Sequence, residues 1–334
     1  MSTKALVTGG AGFIGSHLAE ALCQRGHPVV VLDDLSLGKR ENLAWAERLP
    51  ASQFEFVQGD VANESLARKL VSGCDWVFHE AALPSVPLSV AKPLESNTAN
   101  LDATLRLLVL ARDAKVKRFL FASSSAIYGD AMEPAKSESL APLPLSPYAL
   151  QKYAAERYGQ LFHSLYGLET VSLRYFNVFG PRQAFDSPYS GVIAKFCTAM
   201  LAGQAPVIFG DGLQSRDFTY VDNAVAANLL AAGAPAKKVA GQVFNVAAGE
   251  CINLRQLVEE LNRLTAQQLT PRFEPARAGD VKHSLADISA ARAGLGYGVE
   301  VSWQEGLRRT LEFYRRPRAH TEAKITLARG CDAA

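Results

Sequence analysis

Six short, nearly uninterrupted apolar runs punctuate the first half of the chain: KALVTG (4–9), PVVVLD (28–33), FEFVQG (54–59), DWVFHE (75–80), RFLFAS (118–123) and TVSLRY (170–175). They are too short and too continuously apolar for amphipathic helices, and they suit strands of a parallel sheet covered on both faces. Between them, HLAEALCQRG, ESLARKLVSG, LDATLRLLVLARDA and SPYALQKYAAERYGQLFHSLYG repeat their apolar positions at helical spacing. Strands alternating with helices predict βαβ units and an α/β fold with a doubly wound parallel sheet. After about residue 176 the pattern loosens: Pro181, Pro188 and Pro206 interrupt it, although 192–203 and 254–267 still read as helices. The expectation is a first domain over 1–176 and a second, smaller, mixed α/β lobe drawn mainly from 177–316. Part of 217–250 is expected to return to the first domain. The charged, aperiodic tail, 317–334, is expected to be disordered.

Composition narrows the classes of function. A chain of 334 residues, 48% of them hydrophobic, buries a large core, and a net charge of +2 gives no electrostatic footprint for nucleic acid. Five cysteines (Cys23, Cys74, Cys197, Cys251, Cys331) lie scattered without a CxxC pair, which indicates reduced thiols and no zinc site. The N-terminus runs straight into the first strand without the regions of a signal peptide, and no stretch approaches the ~18 apolar residues of a membrane span. A soluble, cytoplasmic protein with no membrane partner and no metal is expected.

The chemistry gathers at the ends of the predicted strands. TGGAGFIGSH places Gly9, Gly12 and Gly15 between a strand and a helix. Glycines there let the backbone approach a pyrophosphate, whose charge is met by the helix N-terminus. Asp33 ends the next strand, 18 positions after Gly15. A carboxylate there accepts from the ribose hydroxyls and repels a 2′-phosphate, favouring NAD over NADP. Asp60 and Val61 end the third strand. Ala81 and Ala82 end the fourth, where small side chains leave room for a cofactor, and His79 just before them reads as a packed structural histidine. Tyr148 and Lys152 form a YxxxK pair on one helix face. An ammonium beside a phenol lowers its pKa and makes a base usable near neutrality. Arg174, Arg182, Arg216 and Arg277 suggest a phosphate-rich ligand, although any single surface arginine is more often a solvated charge.

Taken together, TGGAGFIGS, Asp33, HEAA, SSSAIYGD, SPYALQK, LRYFNVFGPRQ, GDGLQSRDF, the asparagine of VFNVAAG and RAGDVKHSLAD resemble the extended short-chain dehydrogenases, specifically the NAD-dependent nucleotide-sugar 4-epimerases, over about residues 4–314. The resemblance implies a Rossmann domain in which Gly9, Gly12, Phe13, Ile14, Gly15, Asp33, Asp34, Asp60, Val61, Ala81, Ala82, Asn100, Ser123, Tyr148, Lys152 and Tyr175 hold NAD. It implies that Ser85, Asn177, Val192, Val207, Phe209, Arg216, Asn245, Arg277, Asp280 and Ser284 hold a UDP-sugar. Tyr148 would take the proton of the sugar 4-hydroxyl while hydride passes from C4 to NAD. The 4-keto sugar would then turn about its diphosphate link and be reduced on its other face. Ser124 matches the hydroxyl that bonds the sugar O4, with Ser125 as a helper. The family also implies a homodimer through a four-helix bundle built from helices at about 100–114 and 147–166.

Related enzymes share the first oxidation and then diverge. The 4,6-dehydratases carry Asp-Glu where this chain has Ser125-Ala126, and the nucleotide-glucuronate decarboxylases typically carry glutamate at the Ala126 position. Alanine neither gives nor takes a proton, so re-reduction, hence epimerisation, is the expected fate of the ketone. Ser284 matches the position beside the sugar C2 substituent, where a small residue leaves space for an N-acetyl group. Acceptance of UDP-GlcNAc/UDP-GalNAc as well as UDP-Glc/UDP-Gal follows. Leu88 stands where an arginine is common in the N-acetylglucosamine branch, and HEAA departs from the usual apolar or Gln second residue. A UDP-glucuronate-type 4-epimerase, or a dehydratase or reductase using the same C4 oxidation, stays open.

Overall fold

The computed structural model describes residues 3–185, 191–276 and 282–315. The six apolar runs form β1 (Ala5–Thr8), β2 (Val29–Asp33), β3 (Phe54–Gln58), β4 (Trp76–His79), β5 (Arg118–Ser124) and β6 (Glu169–Tyr175). Together with Gln242–Val246 they make one seven-stranded sheet, all parallel, in the order Gln242–Val246, β6, β5, β4, β1, β2, β3. The expected doubly wound sheet is therefore present. Its order reverses between β1 and β4, and at such a point the connections leave a crevice at the carboxyl ends of the strands.

Successive side chains on a strand point to opposite faces, and two cores follow from that alternation. Ala5, Val7, Val29, Val31, Phe78, Leu120, Val171 and Leu173 face one core, while Leu6, Val30, Leu32, Val77, Phe119 and Phe121 face the other. Helices α1 (Phe13–Gln24), α2 (Glu64–Val71), α3 (Val86–Ala91), α4 (Pro93–Asn97), α5 (Ala103–Asp113), α6 (Pro147–Tyr166), α7 (Val192–Leu201) and α8 (Val221–Gly233) follow along the chain. The first core takes Leu18, Ala19 and Leu22 from α1 and Ala224, Ala227 and Ala231 from α8. The second takes Ala67 and Leu70 from α2, Leu107 and Ala111 from α5, and Ala155 and Phe162 from α6. Each fully buried valine, leucine or phenylalanine among them contributes about 1.5–3 kcal/mol, and each alanine less. β3 departs from the two-face expectation: its residues are half-buried or exposed, because it is the outermost strand.

α6 shows how local sequence fixes an element that carries chemistry. Ser146 caps its N-terminus by accepting from Ala149 N at 3.2 Å, Pro147 occupies the first turn, and Gly167 ends it in the left-handed region at φ 72°. After β6 the chain builds three small sheets. One pairs Val207–Phe209 with Arg272–Glu274; another aligns Ile252–Asn253, Ser215–Arg216 and His283–Ser284; the third joins Val178–Phe179 to Thr219–Tyr220. The chain then crosses back: α8 packs against α1, β5 and β6.

Candidate active site

The glycine turn after β1 is held open by sterics. Gly9 has φ +68°, and a Cβ there would lie 2.6 Å from Ala81 N. A Cβ on Gly12 or Gly15 would lie 2.9 or 2.3 Å from Gly9 O. These three positions form a backbone cradle that any larger residue would fill, at the switch point of the sheet. α1 begins at Phe13 and Ile14 with no acidic residue in its first turn, so its N-terminal end stays positive. Asp33 lies at the neighbouring strand end: its carboxylate accepts from Ala11 N at 2.9 Å and Leu35 N at 2.8 Å. Burial raises its pKa, and those backbone N–H groups oppose the rise. Asp34 accepts from Ser36 N and Oγ, and Asp60 accepts from Ala62 N at 2.8 Å. Val61 follows it, and Ala82 follows Ala81, both half-buried. Cradle and carboxylate fit a dinucleotide.

β5 and α6 bring the hydroxyl cluster to the helix pair. Ser124 ends β5, and its Oγ accepts from Ala126 N at 3.1 Å; Ser125 opens the turn that follows. Ser124 faces the buried Tyr148 phenol closely enough to act on its titration. Tyr148 is 9% exposed. Burial raises its pKa and the Ser124 hydroxyl opposes the rise. Lys152 is 2% exposed, donates from Nζ to Ala122 O at 2.8 Å and lies 4.8 Å from the centre of the Phe121 ring. Burial lowers it to about 8, against the charge of Glu80. The expected depression of the Tyr148 pKa is thus replaced by a rise: the phenol is deeply buried, and the charge acting on Lys152 comes from β4.

Several expected ligand residues have their side chains engaged within the protein. Ser123 donates from Oγ to Glu156 Oε2 at 3.0 Å, away from the strand mouth. Asn100 sits in a π-helical turn, Thr98–Asp102, and pins the loop after β4 by accepting from Leu83 N at 2.7 Å and donating to Leu83 O and Gln151 Oε1. Ser85 caps α3 through Leu88 N at 3.1 Å. Asn245, 0% exposed, accepts from Tyr128 Oη at 2.8 Å and donates to Lys136 O and Asp287 O. Its side chain ties the seventh strand to the segments around Lys136 and Asp287. Tyr175 donates to Glu80 Oε1 at 2.8 Å and accepts from Asn228 Nδ2 at 2.6 Å, and burial raises its pKa well above the ordinary value.

In the second lobe, Arg216 and Ser284 are register partners on adjacent strands. Val207 and Phe209 bound a neighbouring strand, and Val192 opens α7. Asn177, at φ +36°, donates to Asp217 O at 3.0 Å, next to Arg216. Arg277 and Asp280 lie outside the described residues. Sequence reasoning passed over Glu80: it was visible only as a departure within HEAA. Burial pushes its carboxyl up to about 7, opposed by the Tyr175 hydrogen bond and the Lys152 charge. His79 is kept neutral, lowered to about 3 by burial and by Lys152, with its ring nitrogens on Thr8 and Thr104. Among the described residues no group of His, Cys, Asp and Glu side chains is arranged to hold a metal ion, and no helix is long and apolar enough to cross a membrane.

This geometry has close counterparts. The chain is 40% identical over 316 residues to a UDP-glucose 4-epimerase of Mycolicibacterium smegmatis, covering 93% of this chain and 98% of the relative. Among solved structures, the UDP-N-acetylglucosamine 4-epimerase of Methanobrevibacter ruminantium M1, in complex with UDP-N-acetylmuramic acid, superposes with a TM-score of 0.88 at 42% identity, covering 94% of this chain and 98% of that one. The UDP-glucuronic acid 4-epimerase of Bacillus cereus, in complex with UDP-glucuronic acid and NAD, gives 0.85 at 34% identity, covering 93% and 98%. Residues 5–247 match the model of the NAD dependent epimerase/dehydratase family, and the glycine cradle, the Asp33 strand end and the Ser124–Tyr148–Lys152 cluster all fall inside that span: the chain belongs to this family.

Proposed function

We propose that the protein is a UDP-hexose 4-epimerase that accepts N-acetylated sugars as well as UDP-glucose and UDP-galactose. The observation that carries the reading is the placement of Ser124 at the end of β5 with Tyr148 and Lys152 buried one turn apart on α6, beside a position, Ala126, that bears no acid or base. NAD, bound on the Gly9–Gly12–Gly15 cradle with its ribose at Asp33, would supply the hydride acceptor and donor. As its phenolate, Tyr148 would accept the proton of the sugar 4-hydroxyl and return it to O4 once C4 has been reduced on its other face. Ser124, at the end of β5, orients that hydroxyl, and Ser125 assists from the following turn. Lys152 holds positive charge under the pair. Tyr148 and Lys152 are themselves buried, which limits the access of water to the base. With alanine at 126 no side chain there can draw a proton from C5 or promote loss of a carboxylate, which favours simple re-reduction.

The sugar preference rests on Ser284. It is half-buried and stands in register with Arg216, so a small side chain lies next to the arginine assigned to the diphosphate. A small side chain at this position supports acceptance of a C2 N-acetyl group. Arg216, Asn177, Val192, Val207 and Phe209 are assigned to the nucleotide, with Arg277 and Asp280. A uronic acid is the second reading, favoured by the similarity to the UDP-glucuronic acid 4-epimerase. The test is a panel of UDP-Glc, UDP-GlcNAc and UDP-GlcA, each followed to product by chromatography and mass spectrometry. UDP-Gal and UDP-GalNAc at unchanged mass are expected. Loss of water, loss of carbon dioxide, or turnover of UDP-GlcA alone would overturn the assignment.

We also propose a cytoplasmic homodimer. Leu150, Leu161 and Leu165 are 55%, 46% and 66% exposed along α6. They share an outward stripe with Ala154 and Tyr158, at spacings of three and four residues.

A further inference from the structure

Asp217 follows Arg216 in the chain and is 0% exposed. All four of its polar atoms are engaged. Its N–H donates to Ser284 O at 2.8 Å, and its carbonyl accepts from Asn177 Nδ2 at 3.0 Å. Its carboxylate accepts three backbone N–H groups: Ala248 on Oδ1 at 2.8 Å, and Gly249 and Ala286 on Oδ2 at 3.0 and 3.2 Å. These partners come from separate segments: the turn after β6, the loop after the seventh strand, and the strand His283–Ser284 with the residues beyond it. A carboxylate offers only lone pairs, which is what converging buried N–H groups need. Arg216 is gripped by the same arrangement. The bonds from Ser215 N to Lys282 O, at 3.0 Å, and from Asp217 N to Ser284 O bracket it, and its Nη1 donates to Ser215 O and Lys282 O. Arg216, Asn177 and Ser284 thus meet at Asp217: the first through the peptide bond, the second through its carbonyl, the third through its N–H.

We propose that Asp217 is a positioning residue whose carboxylate locks these segments together and so sets the affinity of the second lobe for the nucleoside diphosphate, without touching it. This rests on the reading of Arg216, Asn177 and Ser284 as the UDP-sugar subsite. Asp217→Asn is the direct probe. The amide keeps one acceptor oxygen and sets an NH2 group against the N–H of Ala248 or those of Gly249 and Ala286, donor against donor.

The experiment uses the full-length protein saturated with NAD, at about pH 8, where the Asp217 carboxyl, pushed up to about 7 by burial, is charged. The Kd of UDP is measured by calorimetry, and KM and kcat with UDP-glucose. In Asp217→Asn both Kd and KM are expected to rise about tenfold or more, while kcat at saturation and bound NAD hold, the pattern of lost uniform binding. Wild-type affinity for UDP in the variant overturns the proposal. So does a fall in kcat or in bound NAD as large as the loss in UDP affinity, which would mark a general loosening. Where the variant does not fold, hydrogen exchange on the wild type decides: UDP should slow the amides of Ala248 and Gly249, and unchanged rates overturn the proposal. A wild type that binds no UDP defeats the reading of the second lobe and this proposal with it; UDP bound equally by wild type and variant defeats the role of Asp217 alone.

Discussion

Glu156→Ala tests the buried junction on which the site is built. Glu156 on α6 and Arg174 on β6 form a two-pronged ion pair, Nη2 to Oε1 at 2.6 Å and Nε to Oε2 at 3.0 Å, with side chains 2% and 4% exposed. Ser123 donates to the same carboxylate. Arg174 Nη1 continues to the Tyr128 hydroxyl at 2.7 Å, and Tyr128 to Asn245. Deleting the carboxylate strands a guanidinium in a dry interior and removes the acceptor of Ser123. Breaking one side of such a pair costs about 3–5 kcal/mol, a large share of the ~5–15 kcal/mol that holds a protein folded. With an m-value at or above the ~3 kcal/mol/M of small domains, the urea midpoint should drop by about 1 M. Glu156→Met combined with Arg174→Met removes both charges and should recover at least half of that loss, because the pair itself contributes little net stability once desolvation is counted. The measurement is urea unfolding followed by tryptophan fluorescence and circular dichroism. A single-mutant cost below ~1 kcal/mol, or a double mutant no more stable than the single, would refute the reasoning.

Tyr148→Phe should keep NAD, measured by absorbance after extraction, yet lose about 10²–10⁴ in turnover; full activity would remove Tyr148 from the role of base. Gly15→Ala places a methyl 2.3 Å from Gly9 O. Overpacking of ~1–3 kcal/mol corresponds to about a 5- to 150-fold loss in NAD affinity by calorimetry, and wild-type affinity would show that the cradle yields without cost. Leu161→Glu with Leu165→Glu should convert a dimer to a monomer in light scattering; a wild type that is monomeric at micromolar concentration defeats the dimer proposal outright.

The continuous apolar runs determined strands β1 to β6, because a segment buried on both faces of a parallel sheet has no polar positions to alternate with. The glycine spacing, Asp33 and the YxxxK pair were likewise legible, since their chemistry depends on residue type and local geometry. Tertiary structure decided the rest. The seventh strand, Gln242–Val246, is recruited from beyond α8, and no local signal says which edge it joins. Ser123 and Ser124 are neighbours in one run of hydroxyls, but strand alternation turns the first to Glu156 and leaves the second at Tyr148. The amides of Asn100 and Asn245 also tie together segments far apart in the chain, Leu83 for the first and Lys136 and Asp287 for the second, which no local pattern announces. Arg216 and Ser284 meet only through the register of a two-residue strand. Periodicity and motif are local properties and survive in one dimension; burial and the pairing of charges depend on distance in space, which the fold alone supplies.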